Sequence, residues 1–384
     1  MCLVDAARRN LPRNVGAFRG PKVLLVADTH HLTAPINTMI RYAASETYDR
    51  LVFLYDRHHA ALFHAAGFRN LFWFPGLTFP HDDAFVRQSR SAEGRVPQVA
   101  FVGQAGRLHP RRARLLAALQ TAGLPLAQQA LGQRDALPFY GASLFGFNSS
   151  LNGDLNLRVF EILASGALLL TDKLAPASGL SLFLQDGRDC LMYDDEHELV
   201  EKARACLARP AEATRIAAAG ARWLLESFGE ARRRALFSAL AFDGRAPALF
   251  PLPASELDTL RFHNQLDLQA NVVIYEGIQE LHRTQPDVRV VVEEAAPAAV
   301  RQLFGTLPRV YVRQELGDDR TDLVVTGARN AAAASQSRAA HVWCWDATPG
   351  QLPDLAAFFA GCGYAAATPH LGFYSFKKAP ETVL

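Results

Sequence analysis

The sequence predicts an α/β protein built from successive parallel-sheet layers, and three observations predict it. Short unbroken apolar runs recur along the chain, of the length and kind that fill strands buried on both faces. Helical stretches lie between them, so the order is strand, helix, strand. Polar breaks rich in Pro and Gly divide the series into three parts, which we place at residues 1–97, 98–245 and 254–384.

The first part opens with a basic leader. Residues 22–28 then form an apolar strand, 34–46 a helix, 50–55 a strand, 60–66 a helix closed by Gly67, and 70–74 a third strand stopped by Pro75 and Gly76. Residues 79–97 carry charge without apolar period and read as a linker. The second part offers strands at 99–102, 144–147 and 167–171, with helices at 111–121, 156–164, 196–207 and 211–228. A cluster of Pro and Gly at 243–253 marks the next break. The third part reads as strands at 272–275, 288–293, 310–312, 323–326 and 342–345, then a hairpin of 364–368 with 373–376.

Composition narrows the partners. The net charge is only +2, which argues against nucleic acid or an anionic membrane surface. Cys2, Cys190, Cys206, Cys344 and Cys362 are scattered, with no CxxC pair, so neither a disulfide framework nor a structural zinc is expected. The first twenty residues hold four Arg and no apolar core of an export signal. No stretch reaches the ~20 apolar residues of a membrane span. The expectation is a cytoplasmic protein.

The segment richest in chemistry runs Asn156-Leu-Arg158-Val-Phe-Glu161-Ile-Leu-Ala-Ser-Gly166, followed by an apolar strand ending in Thr171-Asp172. As a helix it sets Arg158 and Glu161 three residues apart on one face, with Leu157, Phe160 and Ala164 on another. Its N-terminus offers unsatisfied N–H groups and the positive end of a dipole, a place for phosphate. Arg158 adds a guanidinium fork, and Glu161 an acceptor for a ribose diol.

This run resembles the C-terminal half of group-one glycosyltransferases, in particular the CgeB-like spore-maturation branch. That branch shows N-x-R-x-F-E-x-x-A-x-G and an apolar strand ending Thr-Asp. It then shows the pattern found here as Phe183-Leu-x-Asp186-Gly187-x-Asp189-Cys190-x-x-Tyr193, with Glu198-Leu199 after it. The resemblance covers about residues 22–240. It implies a GT-B fold of two Rossmann-like domains, the N-terminal one shortened, with a third Rossmann-like domain appended. It implies a nucleoside diphosphate-sugar donor as substrate, no other cofactor, and an unidentified glycan, protein or small-molecule acceptor. In such a protein Asn156, Arg158 and Glu161 hold the donor, Glu161 on its ribose, with Gly103 and Arg107 near the diphosphate. Arg111, Arg112 and Arg114 read more simply as a solvated helix face.

Two departures stand out. Group-one members carry two Glu separated by seven residues, whereas the position eight before Glu161 is Gly153, beside Asp154. The first part also holds only three recognisable strands. On the acceptor side Asp28, His30 and His31 sit at a strand's C-terminal end, where open α/β sheets bind ligands and where a His can act as general base. His58, His59, His64 and His81 lack acidic partners at suggestive spacing and read as surface residues. No Asp-x-Asp ends a strand, so no metal is expected on the diphosphate.

The third part weakly resembles class I methyltransferases, with Glu293 and Glu294 at a strand end. Its first loop, Tyr275-Glu276-Gly277-Ile278-Gln279, has one Gly where close cofactor approach needs several. Two rival readings follow: a non-catalytic GT-B-like scaffold, and a methyltransferase using S-adenosylmethionine through this last part.

Overall fold

Apolar runs of three to seven residues, each followed by a helix or turn, become three separate sheets in the computed structural model. It describes residues 2–4, 11–27, 29, 35–90, 94–106, 109–151, 153–257, 268–294, 296, 304, 307, 309–313, 321–327, 330–336, 339–344, 352–366 and 374–378. The chain divides into two units, Met1–Leu257 and Asp258–Leu384.

The first unit holds two parallel sheets. One has the order β1-β2-β3-β4, from β1 (Cys2–Val4), β2 (Val23–Val26), β3 (Arg50–Phe53) and β4 (Leu71–Trp73). Strand β2 is buried throughout, as its unbroken apolar run requires. The helices α1 (Pro35–Ser45) and α2 (Ala60–Ala65) connect these strands. Strand β1 comes from what reads as a basic leader. Three residues are too few to show a period, and only their pairing with Leu24, Leu25 and Val26 makes them a strand.

The second sheet has the order β6-β5-β7-β8-β9, from β5 (Val96–Val102), β6 (Leu126–Gln129), β7 (Ser143–Asn148), β8 (Leu168–Asp172) and β9 (Leu191–Tyr193). All its neighbours run parallel. Val99, Phe101, Phe145, Phe147, Leu168 and Leu170 carry its core. The sequence pattern misses β6 because this edge strand reads Leu-Ala-Gln-Gln and is only half covered.

Its helices begin with α3 (Asp83–Gln88), inside the stretch expected to be a linker. Asp82 caps it by accepting from Phe85 N at 2.7 Å. Only Val86 of α3 is buried, so the stretch shows no apolar period. Then come α4 (Pro110–Thr121), α5 (Gln133–Gly141), α6 (Leu157–Ser165), α7 (Glu196–Ala208), α8 (Pro210–Phe228), α9 (Glu230–Asp243) and α10 (Ala254–Leu257). Asn156 caps α6 by accepting from Arg158 N, and Gly166 ends it in the left-handed conformation at φ 76°.

An aromatic seam joins the two sheets. Phe250 packs within 5.3–5.7 Å of the rings of Trp73 and Phe74, which follow from the first sheet, and of Phe183 and Phe228, which belong to the second. Buried Arg57 seals the return. Its guanidinium lies 5.0 Å from the centre of the Trp73 ring. It also donates to Ala177 O, Pro251 O and Glu256 Oε1 at 3.1, 2.9 and 2.8 Å.

The second unit is one six-stranded sheet of order β11-β10-β12-β13-β15-β14. It comprises β10 (Val288–Val292), β11 (Val310–Arg313), β12 (Leu323–Thr326), β13 (His341–Cys344), β14 (Tyr364–Ala366) and β15 (Tyr374–Lys378), of which β15 runs antiparallel to both its neighbours, β13 and β14. The helices α11 (Leu268–His282), α12 (Ala331–Gln336) and α13 (Leu352–Gly361) accompany it.

Two expectations about this unit are corrected. Residues 272–275 are not a strand but lie inside α11, and β10 pairs directly with β12. Burial of Ile274, Tyr275, Ile278, Leu281 and His282 follows the helical period, which the local Val-Val-Ile-Tyr run obscures. Gly277 therefore marks no cofactor turn. A Cβ there would lie 2.6 Å from Trp343, so it is the small residue that lets α11 approach β13. Glu293, at the end of β10, is held in place: its Oε2 accepts from Gly327 N at 2.6 Å and Thr326 Oγ1 at 3.0 Å.

The seam yields a stability prediction. Phe250 is fully buried among four rings, so Phe250→Ala should cost the first unit about 3–5 kcal/mol. A drop in urea midpoint checks it; a midpoint equal to the parent's would remove the seam from the account of how the sheets are joined.

Candidate functional site

The C-terminal edge of the second sheet gathers the polar residues. Strand β5 ends at Val102 and turns at Gly103, whose φ is 139°. Strand β7 ends at Asn148, and β8 at Thr171 and Asp172. Helix α6 starts beside these ends.

Arg158 ties the edge together. Its Nε donates to Val102 O at 3.1 Å and its Nη1 to Asn148 Oδ1 at 3.0 Å. Its guanidinium carbon lies 5.0 Å from the centre of the Phe101 ring. Gly103 is required by this approach, since a Cβ would sit 2.9 Å from Arg158 Nη2. Asn148 Nδ2 in turn donates to Thr171 Oγ1 at 3.0 Å, and Tyr193 Oη to Asn148 O at 2.6 Å.

Glu161 is not on an exposed face with Arg158. It is 9% exposed, because α6 is covered on all sides from Val159 to Ser165. Burial raises its pKa above the ordinary carboxylate value, and the charge of Arg158 opposes that rise. Tyr140 lies close by, its hydroxyl accepting from Val102 N at 3.0 Å, and burial pushes its pKa up to about 12.

Arg111 and Arg112 are buried rather than solvated, at 5% and 8% exposure. Arg112 donates from Nη1 to Gln104 O at 2.9 Å and from Nη2 to Ser149 O at 3.1 Å, holding the turns after β5 and β7. Burial first, then the neighbouring Arg158, lowers its pKa to about 10. The sequence does hold a signal for it. Arg112, Leu115, Leu116 and Leu119 form one helical stripe, all buried, so Arg112 lies on the core face of α4. Arg114 is paired instead with Glu196.

The loop after β7 closes on itself. Asp172 accepts from Ser150 N at 3.1 Å and from Ser150 Oγ at 2.9 Å, and Ser150 Oγ accepts from Gly153 N at 3.2 Å. Asp154 accepts from Leu151 N at 2.9 Å. Where the group-one pattern has its first Glu, this chain therefore has a left-handed glycine, at φ 77°, inside a self-bonded turn. Arg107 lies outside the described residues.

On the first sheet the expected residues Asp28, His30 and His31 also lie outside the described residues. Beside them is a buried trio that the sequence reading missed. Thr29 Oγ1 donates to Asp56 Oδ2 at 2.8 Å, and His59 Nδ1 lies 2.7 Å from Thr29 Oγ1. His59 is fully buried and His81 nearly so, and neither is a surface residue. His81 is paired with Gln133 O at 3.1 Å and packs edge-on against Phe79 and tilted against Phe85. Two adjacent His and a distant Thr carry no motif; only the parallel pairing of β2 with β3 brings them together. Among the described residues Asp56, His58 and His59 are the group placed to hold a metal ion, with ligand atoms within 4.8 Å of one another.

Residues 90–237 match a family model described as glycosyl transferase-like. No curated protein matches the sequence. Among solved structures, a mutant of S. aureus TarM in complex with UDP is similar at 9% identity and TM-score 0.44, over 57% of this chain and 50% of TarM. The chain thus spans half the length of TarM. Sucrose-phosphate synthase from Thermosynechococcus elongatus is similar at 14% identity and TM-score 0.41, over 58% of this chain and 70% of the synthase. HepE from Anabaena in complex with UDP-glucose is similar at 12% identity and TM-score 0.41, over 57% of this chain and 72% of HepE. Among the described residues no helix is long and apolar enough to cross a membrane.

The buried carboxylate sets a pH signature. Glu161 has a raised folded pKa, so the native state holds its proton more tightly than the unfolded chain. Stability from this group is full below the unfolded value of 4.5 and is lost as pH rises through the folded pKa. Glu161→Gln should therefore be more stable than the parent at neutral pH, with the difference vanishing on acidification. Paired urea titrations across that range measure it; a gain that persists unchanged at low pH would show that the charge is not the cause.

Proposed function

We propose that the protein is a glycosyltransferase of GT-B type that moves a sugar from a nucleoside diphosphate-sugar to an acceptor. The observation that carries this reading is the buried Glu161 on α6, beside Arg158 at the C-terminal edge of a parallel sheet. A carboxylate held in so costly a place needs a partner that justifies it, and a ribose diol donates two hydrogen bonds. The glycosyl transferase-like match over residues 90–237 includes this whole edge and supports the same reading.

In this reading the donor lies across the ends of β5, β7 and β8. Glu161 receives the ribose hydroxyls. The N-terminus of α6 faces the diphosphate, and Arg158 and Arg112 supply positive charge there, with the turn at Gly103 beside them; Arg107 is a further candidate for that charge. Cleavage of the sugar–phosphate bond builds charge on the departing diphosphate. Fixed guanidiniums and a helix dipole stabilise that charge without reorganising. Arg158 is first a positioning residue, because the ends of β5 and β7 already engage its Nε and Nη1. The acceptor approaches from the first sheet, where Asp28, His30 and His31 are the candidate base and sugar contacts, and where Thr29, Asp56 and His59 orient the neighbouring strand ends.

Glu161→Ala should weaken binding of the preferred nucleoside diphosphate by about 1.5–3 kcal/mol, the worth of hydrogen bonds to a charged group. Calorimetry with UDP, GDP and ADP on parent and variant reads this out. If the parent binds one of them and Glu161→Ala binds it equally well, the donor lies elsewhere.

The donor edge presents guanidiniums rather than clustered carboxylates, so transfer should persist in the presence of a chelator. Loss of turnover on chelation, restored by magnesium or manganese, would direct attention to Asp56, His58 and His59 instead.

A further inference from the structure

The far end of α6 carries chemistry that donor binding does not use. At its C-terminus a cavity of about 440 Å³ is lined by Arg90, Arg95, Gly166, Thr214, Arg222 and Glu226. Helix α6 has nine residues, so this cavity lies about 13 Å along the helix axis from the donor edge.

Two of the arginines are fixed by their stems. Arg90 Nε donates to Ala164 O at 3.0 Å, in the last turn of α6, and Arg95 Nε donates to Gly141 O at 3.2 Å, at the end of α5. Helix C-termini carry partial negative charge and free carbonyls, which accounts for these two bonds. It does not account for the rest of each guanidinium. Arg90 Nη2 is buried without a hydrogen-bond partner. Arg95 Nη2 reaches the cavity wall at Gly166, where a Cβ would lie 2.8 Å from it. Among the described residues, no ion pair engages Arg90, Arg95 or Arg222. Burial lowers the pKa of Arg90 and Arg95, and their mutual repulsion adds to the effect on Arg90. Three guanidiniums thus share a cavity with the single carboxylate of Glu226 and the partial negative charge of two helix ends, which leaves an excess of positive charge.

We infer that this cavity binds a phosphate dianion, free or carried as a phosphomonoester, at a site separate from the donor edge. The excess charge matches a dianion. The planar guanidiniums of Arg90, Arg95 and Arg222 that line the cavity suit phosphate oxygens. The volume exceeds what one phosphate fills, which leaves space for the body of a monoester. Arg90 follows α3, Arg95 immediately precedes β5 and Arg222 lies on α8, so the ligand would bridge separate elements gathered at the end of α6.

Calorimetry of the full chain with inorganic phosphate and with glycerol 3-phosphate tests this. Both should bind, and Arg90→Gln with Arg95→Gln should weaken them by about tenfold or more. Arg222→Gln is the second variant. Arg222 is exposed on α8 and makes no bond to the helix ends, so this change should weaken binding while leaving the melting temperature unchanged. Equal affinities for the two probes identify the bare ion as ligand, and a clear preference for glycerol 3-phosphate identifies a monoester. Arg158→Gln, at the other end of α6, should bind both as the parent does. The inference is overturned if neither probe binds at millimolar concentration, if the cavity variants bind as well as the parent, or if only Arg158→Gln loses binding. That last result would place the phosphate at the donor edge; the other outcomes do not bear on whether a nucleotide binds there.

Discussion

Arg158 is the residue on which the polar C-terminal edge of the second sheet depends. One guanidinium bonds the last carbonyl of β5 and the side chain at the end of β7, and lies over Phe101. Its demands extend outward. Gly103 must lack a side chain to admit it, Asn148 must offer Oδ1 to it and Nδ2 to Thr171, and Tyr140 must stand beside it under the Val102 amide. A half-buried cation satisfied in this way fixes the start of α6 relative to the sheet. Glu161 follows one turn later, and Arg158 offsets part of the cost of burying it. The order of cause runs from the guanidinium to the helix to the carboxylate.

A second constraint holds the two sheets of the first unit together. The segment after α9 returns to the first sheet, and Phe250 enters between Trp73, Phe74, Phe183 and Phe228. Arg57 then seals the return against Pro251 and Glu256. Two glycines record how tight this seam is. A Cβ at Gly179 would lie 2.3 Å from Trp73, and one at Gly76 would lie 2.8 Å from Phe160. Because Phe160 belongs to α6, the seam and the polar edge share one helix, and a disturbance of the packing between sheets reaches the residues proposed to hold the donor.

Much of the site could be read along the chain because it is local. Asn156, Arg158, Glu161 and Gly166 lie within eleven residues, and a helix cap, a helix face and a terminating glycine are properties of consecutive residues. Arg112 needed the same reasoning carried one step further, since its stripe with Leu115 and Leu119 marks the covered face of α4. The trio of Thr29, Asp56 and His59 was not readable. Thr29 lies about thirty residues before Asp56 and His59, and its distances to them exist only after β2 and β3 pair in one register. The Arg90 cavity is of the same kind, because two helix ends and a third helix must converge before three scattered arginines share a space.

The sequence by itself determined that the chain is α/β with parallel sheets, where most of the buried strands lie, and which helix carries the cluster of Asn156, Arg158 and Glu161. Unbroken apolar runs and local caps encode these features without reference to distant residues. Tertiary structure alone decided the rest. It made a strand of Cys2–Val4, a helix of the stretch around Ile274 and Tyr275, a packing residue of Gly277, and a buried group of Glu161. The physical reason is common to all four. A short segment has no preference strong enough to fix its own state, so the partner it meets across the fold fixes it: a strand edge for Cys2–Val4, the Trp343 ring for Gly277, and the cover over α6 for Glu161.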